Sequence, residues 1–424
     1  MADLLSVNNA IELVLQNCPP AAGSEILSIQ ESFGRVLAED LPAPDDSPRF
    51  DKSMMDGFAI QLPHQVANPQ STYEVTGTVT AGSGSSVVIR PGEAIRIMTG
   101  AEVPPGVNCV VPMERVSILD GDTKNPRSIQ VPAEVLSIDA CITRKGGIIK
   151  AGSPLLKKGV RVAATHVAAL AEFGIKNVPA IRQPRVAILA TGDELVDAAS
   201  EPNAGQIRNS NEPMLEAQVK NCRCWPIPLG IARDNREELA ARIRQGLTAD
   251  VLLLTGGVSV GIHDFVPSEL AAANVRKVFH GVKMKPGKPI WFGIYETAPA
   301  PQQPPHRCLV YGLPGNPVSS LVCFELFVRP ALQLLQAQPE RTAFQAKLKE
   351  DAIVRGDRPV YHPAVLTLSK DAAGITAQII PWGGSSDVCT TASANGMALL
   401  QPEHGPYKAG DTVEARLWTE FFHD

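Results

Sequence analysis

The chain has 424 residues, of which 44% are apolar, and at about 150 residues per domain a multidomain globular protein is expected. Its net charge is −5 and the sequence contains no basic block, so long-range attraction favours neither nucleic acid nor an anionic membrane surface as a partner. Residues 1–20 lack the features of a signal peptide, and no stretch approaches the roughly 20 apolar residues of a membrane span. We therefore expect a cytoplasmic protein.

The N-terminal part predicts helical segments around an inserted β module. Apolar residues recur at helical spacing over 8–17, and the stretch 31–41 has a similar pattern. Between 73 and 136, short β-rich runs are separated by Gly and Pro, without a helical period. Helical spacing returns over 154–174, so we expect the β module to interrupt a helical part of the chain.

From Arg185 onward, apolar strands alternate with helices, which indicates a parallel sheet covered on both faces. Ligands of such sheets bind beyond the carboxyl ends of the strands. After Gln338, short alternating segments predict a small β barrel or sandwich. The predicted fold class is α/β multidomain, in four parts: a helical domain (1–43 and 140–177), an inserted β module (44–139), a three-layer α/β domain (178–337) and a C-terminal β barrel (338–424).

The segment DVLLLTGGVSVGIHDFV, at 250–266, runs from an apolar strand into a glycine-rich loop. Gly256 and Gly257 let backbone N–H groups approach an anion, and together with Ser259 they form the predicted phosphate cradle. The spacing matches neither a dinucleotide fingerprint nor a P-loop, so a purely structural turn is the alternative.

Acidic residues flank this predicted cradle. Asp193 and Glu194 follow the first strand of the same sheet, and Asp264 follows the glycine loop. We expect Asp193 to cap a helix N-terminus, which leaves Glu194 freer to bind a ligand. Because an acid repels a phosphate, Asp264 beside the cradle favours a metal ion between the two.

Two further loops of the α/β part offer groups that bind oxyanions. MKPGKP places Lys285 and Lys288 on a turn stiffened by proline, although solvated lysines are an equal alternative. The run YGLPGNPVSS opens a helix whose first N–H groups are free, and its predicted binding residues are Pro314, Gly315, Asn316, Pro317 and Ser319.

In the β module, Asp56 and Thr99 each precede a glycine. A carboxylate and a hydroxyl suit a hydrated magnesium ion or a polar substrate. Asp-Gly and Thr-Gly are equally ordinary β-turn pairs, so their own signal is weak.

Taken together and in this order, eight motifs resemble the molybdopterin molybdenumtransferase family, that is, bacterial MoeA and the E domain of gephyrin. The resemblance covers nearly the whole chain, and the Leu-Pro-Gly-Asn-Pro-Val-Ser run is the most specific part. The motifs are SMMDGFA, RIMTGAEVPPGVNCVV, ILATGDELV, GQIRNSN, LLLTGGVSVGIHDFV, MKPGKP, YGLPGNPVSSLVCFELFVRPAL and ASANGMALL.

The resemblance implies insertion of molybdate into adenylylated molybdopterin with release of AMP, assisted by Mg²⁺. It implies a homodimer whose active cleft combines parts of both subunits, with the molybdopterin adenylyltransferase and molybdoenzymes as further partners. Asp56, Glu194 and Asp264 match family acidic positions and are the predicted metal ligands. Catalytic roles are expected for these three acids and Thr99, and substrate contacts for Asp193, Lys285, Lys288, Ser319 and Arg358 together with the glycine and proline positions above.

The sequence departs from the family pattern at two places. Gly147 and Ile148 stand where many members carry acids, and Pro363 stands where relatives often carry a basic residue, which leaves Arg358 nearby. We hypothesise an active enzyme with altered metal or oxyanion contacts. The alternatives are a catalytically weak molybdopterin-binding or scaffold protein, and a molybdopterin adenylyltransferase.

Overall fold

A computed structural model describes residues 4–21, 23–63, 72–84, 87–257, 265–297, 306–340, 342–368 and 374–418. The contacts within it divide the chain into two units. The first comprises Met1–Ala38 with Asn177–Asp424, and the second comprises Glu39–Lys176. The four-part boundaries expected from the sequence stay a prediction.

The second unit is built around the predicted β module. Its six-stranded sheet buries apolar side chains on both faces, with Ile95 and Ile97 in one core and Phe58 and Ile129 in the other. The strands lie in the order Cys109–Pro112, Gly57–Ile60, Glu93–Ile97, Thr72–Val79, Pro126–Gln130 and Ser117–Gly121.

Two short antiparallel pairs join the chain segments on either side of this sheet: Leu41–Pro42 pairs with Pro154–Leu156, and Lys52–Ser53 pairs with Ile142–Thr143. The helix expected over 154–174 is confined to Ala164–Glu172. The wider prediction was wrong because Pro154–Leu156 is a strand, which its pairing requires to be extended. Turns of 3-10 helix lie at Met113–Arg115 and Ala133–Val135.

The first unit begins with the predicted N-terminal helix, Val7–Asn17, whose N-terminus is capped by Ser6. The helical pattern over 31–41 is misleading, since this stretch forms a turn and isolated bridges instead of a helix. Gly34 lies there at φ +77°, and an ideal Cβ on it would stand 2.8 Å from the Arg223 guanidinium. The positive φ breaks the helix that the apolar spacing predicts. The strand Ser24–Ser28 pairs with Asn177–Ile181.

The centre of this unit is a six-stranded sheet with helices on both faces, as predicted. Val251 and Leu253 enter one core and Leu252 and Leu254 the other, because successive side chains of a strand point to opposite faces. The strand order is Trp225–Ala232, Arg185–Thr191, Val251–Thr255, Arg307–Leu313, Trp291–Glu296 and Arg276–His280.

The first four strands of this order are parallel, but the last two are antiparallel to their neighbours. The expectation of a parallel sheet was wrong at this edge. Residues 281–290 join the two edge strands and are too few for the crossover that parallel strands need. A small parallel pair lies apart from the sheet, Leu195–Val196 with Ile207–Arg208.

Helices cover both faces of the sheet. The segment Pro317–Leu335 is, within the described ranges, the one helical run long and apolar enough to cross a membrane, yet 83% of it is buried inside the protein, as in a core helix. The other helices of this domain are Asn211–Asn221, Arg236–Gly246 and Val266–Ala272, and Pro317–Leu335 itself comprises Pro317–Cys323, a π-helical turn Phe324–Val328 and Arg329–Leu335.

The predicted C-terminal barrel is present. It is closed by five strands around a core that includes Leu366, Ala377 and Ala398. The strands follow the order Phe344–Leu348, Ile375–Ile379, Val360–Leu368, Gly396–Leu400 and Thr412–Leu417, with short helical turns at Val388–Thr391 and Pro402–His404.

Candidate active site

The carboxyl ends of the parallel strands bring three of the predicted loops to one edge of the sheet. The strand ending at Thr255 lies between those ending at Thr191 and Leu313. Directly after these ends come Glu194, the Gly256–Gly257 pair and the 314–319 run. The strand Trp291–Glu296 begins opposite Gly312, so the preceding loop with both lysines opens onto the same end of the sheet.

Gly256 and Gly257 have the conformation that a cradle of backbone N–H groups requires. Their φ angles are +90° and +64°, a region that side chains make costly. An ideal Cβ on Gly256 would stand only 2.5 Å from the Thr191 carbonyl oxygen, and one on Gly315 would stand 3.7 Å from the Gly256 Cα. The Gly256 N–H donates to the Leu313 carbonyl oxygen over 3.3 Å, so the two glycine loops touch each other and an anion there would meet backbone on two sides.

Asp193 does not cap a helix, which corrects the sequence expectation. The chain turns at 192–195, and the Asp193 carboxylate accepts the N–H of Asp234 over 3.1 Å. The Asp193 carbonyl oxygen accepts a hydrogen bond from Arg233, also over 3.1 Å. Asp193 thus links two loops at the ends of neighbouring strands. Asp234 was missed from the sequence because the link depends on strand order.

Glu194 is exposed and its carboxylate folds back over Gly192. An ideal Cβ on Gly192, at φ +144°, would stand 2.4 Å from Glu194 Oε2. This oxygen is the end of a flexible, exposed side chain that can move aside, so Glu194 as the acid that is freer to bind a ligand stays a prediction.

The loop that carries Lys285 is fixed from the barrel side. The Lys285 N–H donates to the Pro359 carbonyl oxygen over 2.9 Å, and Arg358 donates to the Met284 carbonyl oxygen over 3.0 Å. Lys285 and Lys288 themselves are exposed. Arg358, predicted as an oxyanion contact, therefore uses at least one of its N–H groups to hold the lysine loop.

His362 lies close to this loop and was missed from the sequence. Burial has the largest effect on the pKa of the His362 imidazole and lowers it below the usual range. A hydrogen bond to the Pro363 carbonyl oxygen raises the pKa, and the charge of Lys285 lowers it further. Its ring meets the edge of Trp382 at 5.3 Å between centroids. The His362 imidazole is therefore biased towards its neutral form next to Pro363, where the sequence resemblance implies a basic residue.

The 314–319 run is joined to a loop that sequence reasoning did not single out. Asn316 Nδ2 donates to Ser385 Oγ over 2.9 Å, and the Val318 N–H donates to the Ser385 carbonyl oxygen over 3.0 Å. Ser319 is only 4% exposed. Ser385 lies in the stretch Gly-Gly-Ser-Ser, whose glycines were the only signal for a site loop. Pro317 occupies the first helical position, as expected.

Asp56 and Thr99 meet in the second unit. Asp56 Oδ1 accepts both the N–H and the hydroxyl of Thr99, each over 2.7 Å. The N–H bond first and the hydroxyl bond second lower the Asp56 pKa below its ordinary value. The spacing of 43 residues gave no indication of this contact. The adjacent Gly57 is required, because a Cβ there would collide with the Val111 carbonyl oxygen.

The remaining predictions concern residues without a described position. Ser259 and Asp264 lie outside the described residues, so their roles stay predictions. Within the described ranges, no group of three or more His, Cys, Asp or Glu side chains is arranged to hold a metal ion.

Comparisons with known proteins agree with this architecture. Residues 5–174 match the model of the MoeA N-terminal region (domain I and II), 187–334 match the probable molybdopterin binding domain, and 345–418 match the MoeA C-terminal region (domain IV). The molybdopterin molybdenumtransferase of Bacillus subtilis (strain 168) is 33% identical over 94% of this chain and 90% of its own length. The chain belongs to the MoeA family.

Two further members of the family align with this chain over nearly their full length. The molybdopterin molybdenumtransferase of Staphylococcus aureus (strain COL) is 34% identical over 97% of this chain and 95% of its own length. The crystal structure of the molybdopterin biosynthesis MoeA protein from Pyrococcus horikoshii covers 99% of this chain and 100% of its own, with a TM-score of 0.81 and 28% identity. The glycine loops therefore lie in the MoeA region matched by the molybdopterin-binding model.

Proposed function

We propose that this chain is a molybdopterin molybdenumtransferase, which inserts molybdate into adenylylated molybdopterin and releases AMP as the last step of molybdenum cofactor synthesis. The observation that carries the proposal is the convergence of Glu194, the two touching glycine loops and the lysine loop at one sheet edge. This edge belongs to the domain matched by the molybdopterin-binding model. In sheets of this kind, ligands bind at the carboxyl ends of the strands.

The roles that we propose for the glycine loops and the lysine loop follow from their charges. The N–H groups of Gly257 and Gly315 hold the phosphate end of the substrate without adding a negative charge, while the Gly256 N–H donates to the Leu313 carbonyl oxygen over 3.3 Å. Lys285 and Lys288 attract molybdate, a tetrahedral oxyanion, and Arg358 keeps their loop in place. Asn316 and Ser385, joined by a hydrogen bond, add polar groups between these two ends.

We further propose that Mg²⁺ accompanies the substrate. The described side chains include no group of three or more such ligands, and Asp264 lies outside the described residues. Mg²⁺ usually retains waters and takes one or two carboxylates together with substrate phosphates, and the exposed Glu194 carboxylate suits that mode. Bound there, Mg²⁺ would offset negative charge on the phosphoanhydride. Asp264 and Asp56 are the other proposed ligands.

Assembly and location are also proposals. The resemblance supports a homodimer in the cytoplasm, with a cleft shared between subunits and with the molybdopterin adenylyltransferase and molybdoenzymes as partners. Light scattering on the purified protein tests the first point, since the proposal requires twice the monomer mass.

The departures at 147, 148 and 363 do not argue for an inactive relative. Ile148 is 74% exposed, so an apolar side chain replaces the expected acid at the surface. The replacement leaves no buried charge without a partner. The pair Asp56 and Thr99 is hydrogen-bonded in the same unit. We therefore propose an active enzyme with altered contacts.

The test compares two reactions of the purified chain. Release of AMP from adenylylated molybdopterin in the presence of molybdate is the expected activity. Formation of adenylylated molybdopterin from ATP and molybdopterin, without that release, would assign the chain to the adenylyltransferase reaction instead.

A further inference from the structure

Asn211 lies where the tips of two parallel strands meet, and the proposed function gives it no role. It is the first residue of the helix Asn211–Asn221 and is 9% exposed. Its Nδ2 donates to Thr255 Oγ1 over 2.6 Å and to the Gly315 carbonyl oxygen over 2.8 Å. One side chain thus joins the residue before the Gly256–Gly257 pair to the loop after the neighbouring strand.

The orientation of this amide is determined by its partners. The Gly315 carbonyl oxygen can only accept a hydrogen bond, so the nitrogen of Asn211 must face it. The Thr255 hydroxyl in turn donates to the Pro314 carbonyl oxygen over 3.4 Å. As a result Asn211 Oδ1 is buried and has no hydrogen-bond partner among the described residues. The two donor contacts therefore set the orientation of the amide even though its oxygen is left without a protein partner.

A local capping role does not explain Asn211. An asparagine that caps a helix uses its side-chain oxygen to accept an N–H group of the first turn. Here the oxygen is the atom without a partner, and both N–H groups reach to other loops. The contacts serve the spacing between Thr255 and Gly315.

From these contacts we propose that Asn211 is a positioning residue for the phosphate end of the substrate. It fixes the distance between the Gly256 loop and the Gly315 loop, which approach so closely that an ideal Cβ on Gly315 would stand 3.7 Å from Gly256 Cα. The inference rests on the proposed function, since it assigns these loops to the substrate phosphate. Without Asn211 the loops separate and substrate binding weakens before the chemistry slows.

The test uses two variants that act on opposite ends of one hydrogen bond. Asn211→Asp replaces the donating nitrogen with an oxygen that cannot donate to the Gly315 carbonyl oxygen and is repelled by it. Thr255→Val removes the hydroxyl at nearly constant volume, and so keeps the inference testable if Asn211→Asp folds poorly. Each variant should raise the KM for adenylylated molybdopterin about tenfold with a smaller change in kcat, because misplacement of binding groups is costly. The double variant should be no worse than the more severe single one.

Ile243→Val is the matched control, since Ile243 is fully buried in the core on the opposite face of the sheet. It lowers the melting temperature through lost packing and should leave KM unchanged. Binding of AMP by calorimetry gives a second measure without turnover, and both site variants should weaken it. If the wild type turns over and the variants keep its KM and its AMP affinity, Asn211 has no positioning role. If the wild type itself releases no AMP, the proposed function fails instead.

Discussion

Asp56 and Thr99 form a paired contact in which one carboxylate oxygen accepts both the backbone N–H and the hydroxyl of the threonine, each over 2.7 Å. Both side chains are exposed, so the contact holds the carboxylate in place without removing it from solvent. The orientation of Asp56 is therefore set before any ligand arrives.

Thr99→Val tests this contact. The hydroxyl bond is lost while the N–H bond remains, so the Asp56 pKa should rise from its lowered position towards the ordinary value. Because the folded pKa is lowered, the bonds stabilise the protein above the unfolded pKa, and this contribution is lost as the pH falls through the folded pKa. Carboxyl NMR titration measures the shift.

Activity provides a second reading of the same variant. At neutral pH Asp56 is ionised in both proteins, so a loss of activity would reflect orientation instead of charge. We expect AMP release to fall about tenfold. An unchanged rate together with a raised pKa would show that the orientation of Asp56 does not matter for the reaction.

Glu194→Gln removes a charge while preserving shape. AMP release should fall on the order of tenfold and require more Mg²⁺ for half-maximal rate, since a neutral amide is a poorer magnesium ligand. The melting temperature should not change, because substitutions at exposed positions have little effect on stability. Glu201→Gln is the control: Glu201 is an exposed acid just beyond the strand Leu195–Val196 and forms a 3.2 Å surface ion pair with Arg208. An equal response of both variants to Mg²⁺ would argue against Glu194 as a ligand.

Gly256→Ala should destabilise the fold as well as block the cradle. Its added Cβ would meet the Thr191 carbonyl oxygen at 2.5 Å. Gly230 also has a positive φ, +76°, but an ideal Cβ on it would have no heavy atom within 4 Å. Gly230→Ala thus isolates the cost of positive φ, about 1 kcal/mol, and Gly256→Ala should cost at least about 1 kcal/mol more. Urea unfolding of the two variants measures the difference, and equal losses would show that the close approach relaxes freely.

Lys285→Gln should raise the KM for molybdate about tenfold, the effect expected for a charge-assisted hydrogen bond. Lys283 is exposed two residues earlier in the same loop, so Lys283→Gln changes net charge equally. Initial rates at varied molybdate concentration separate the two. A similar KM for both variants would assign the effect to the general field of the loop.

The sequence predicted the sheet edge well because its signals are local. The run 251–254 is apolar at every position, and two glycines directly follow Thr255. The helical pattern over 31–41 misled because Gly34 takes a positive φ against Arg223, a contact that pairs distant parts of the chain. Apolar spacing carries no information of this kind.

The partners of the site loops were the least predictable part. Ser385 reaches Asn316 across 69 residues, and Asn211 reaches Gly315 across 104. The first contact depends on where the segment before the fourth barrel strand lies against the 314–319 run, and the second depends on which strands of the sheet are neighbours. The residue types alone, a serine and an asparagine, are common in any surface turn.

The most direct measurement is a single-turnover experiment with purified protein, adenylylated molybdopterin and Mg²⁺, in which AMP is quantified with and without molybdate. If the chain is a molybdenumtransferase, AMP appears in proportion to bound substrate when molybdate is present, and the product then carries molybdenum on its dithiolene. Absence of AMP in both conditions, with substrate shown to be bound, would contradict the assignment of this chain as a molybdenumtransferase.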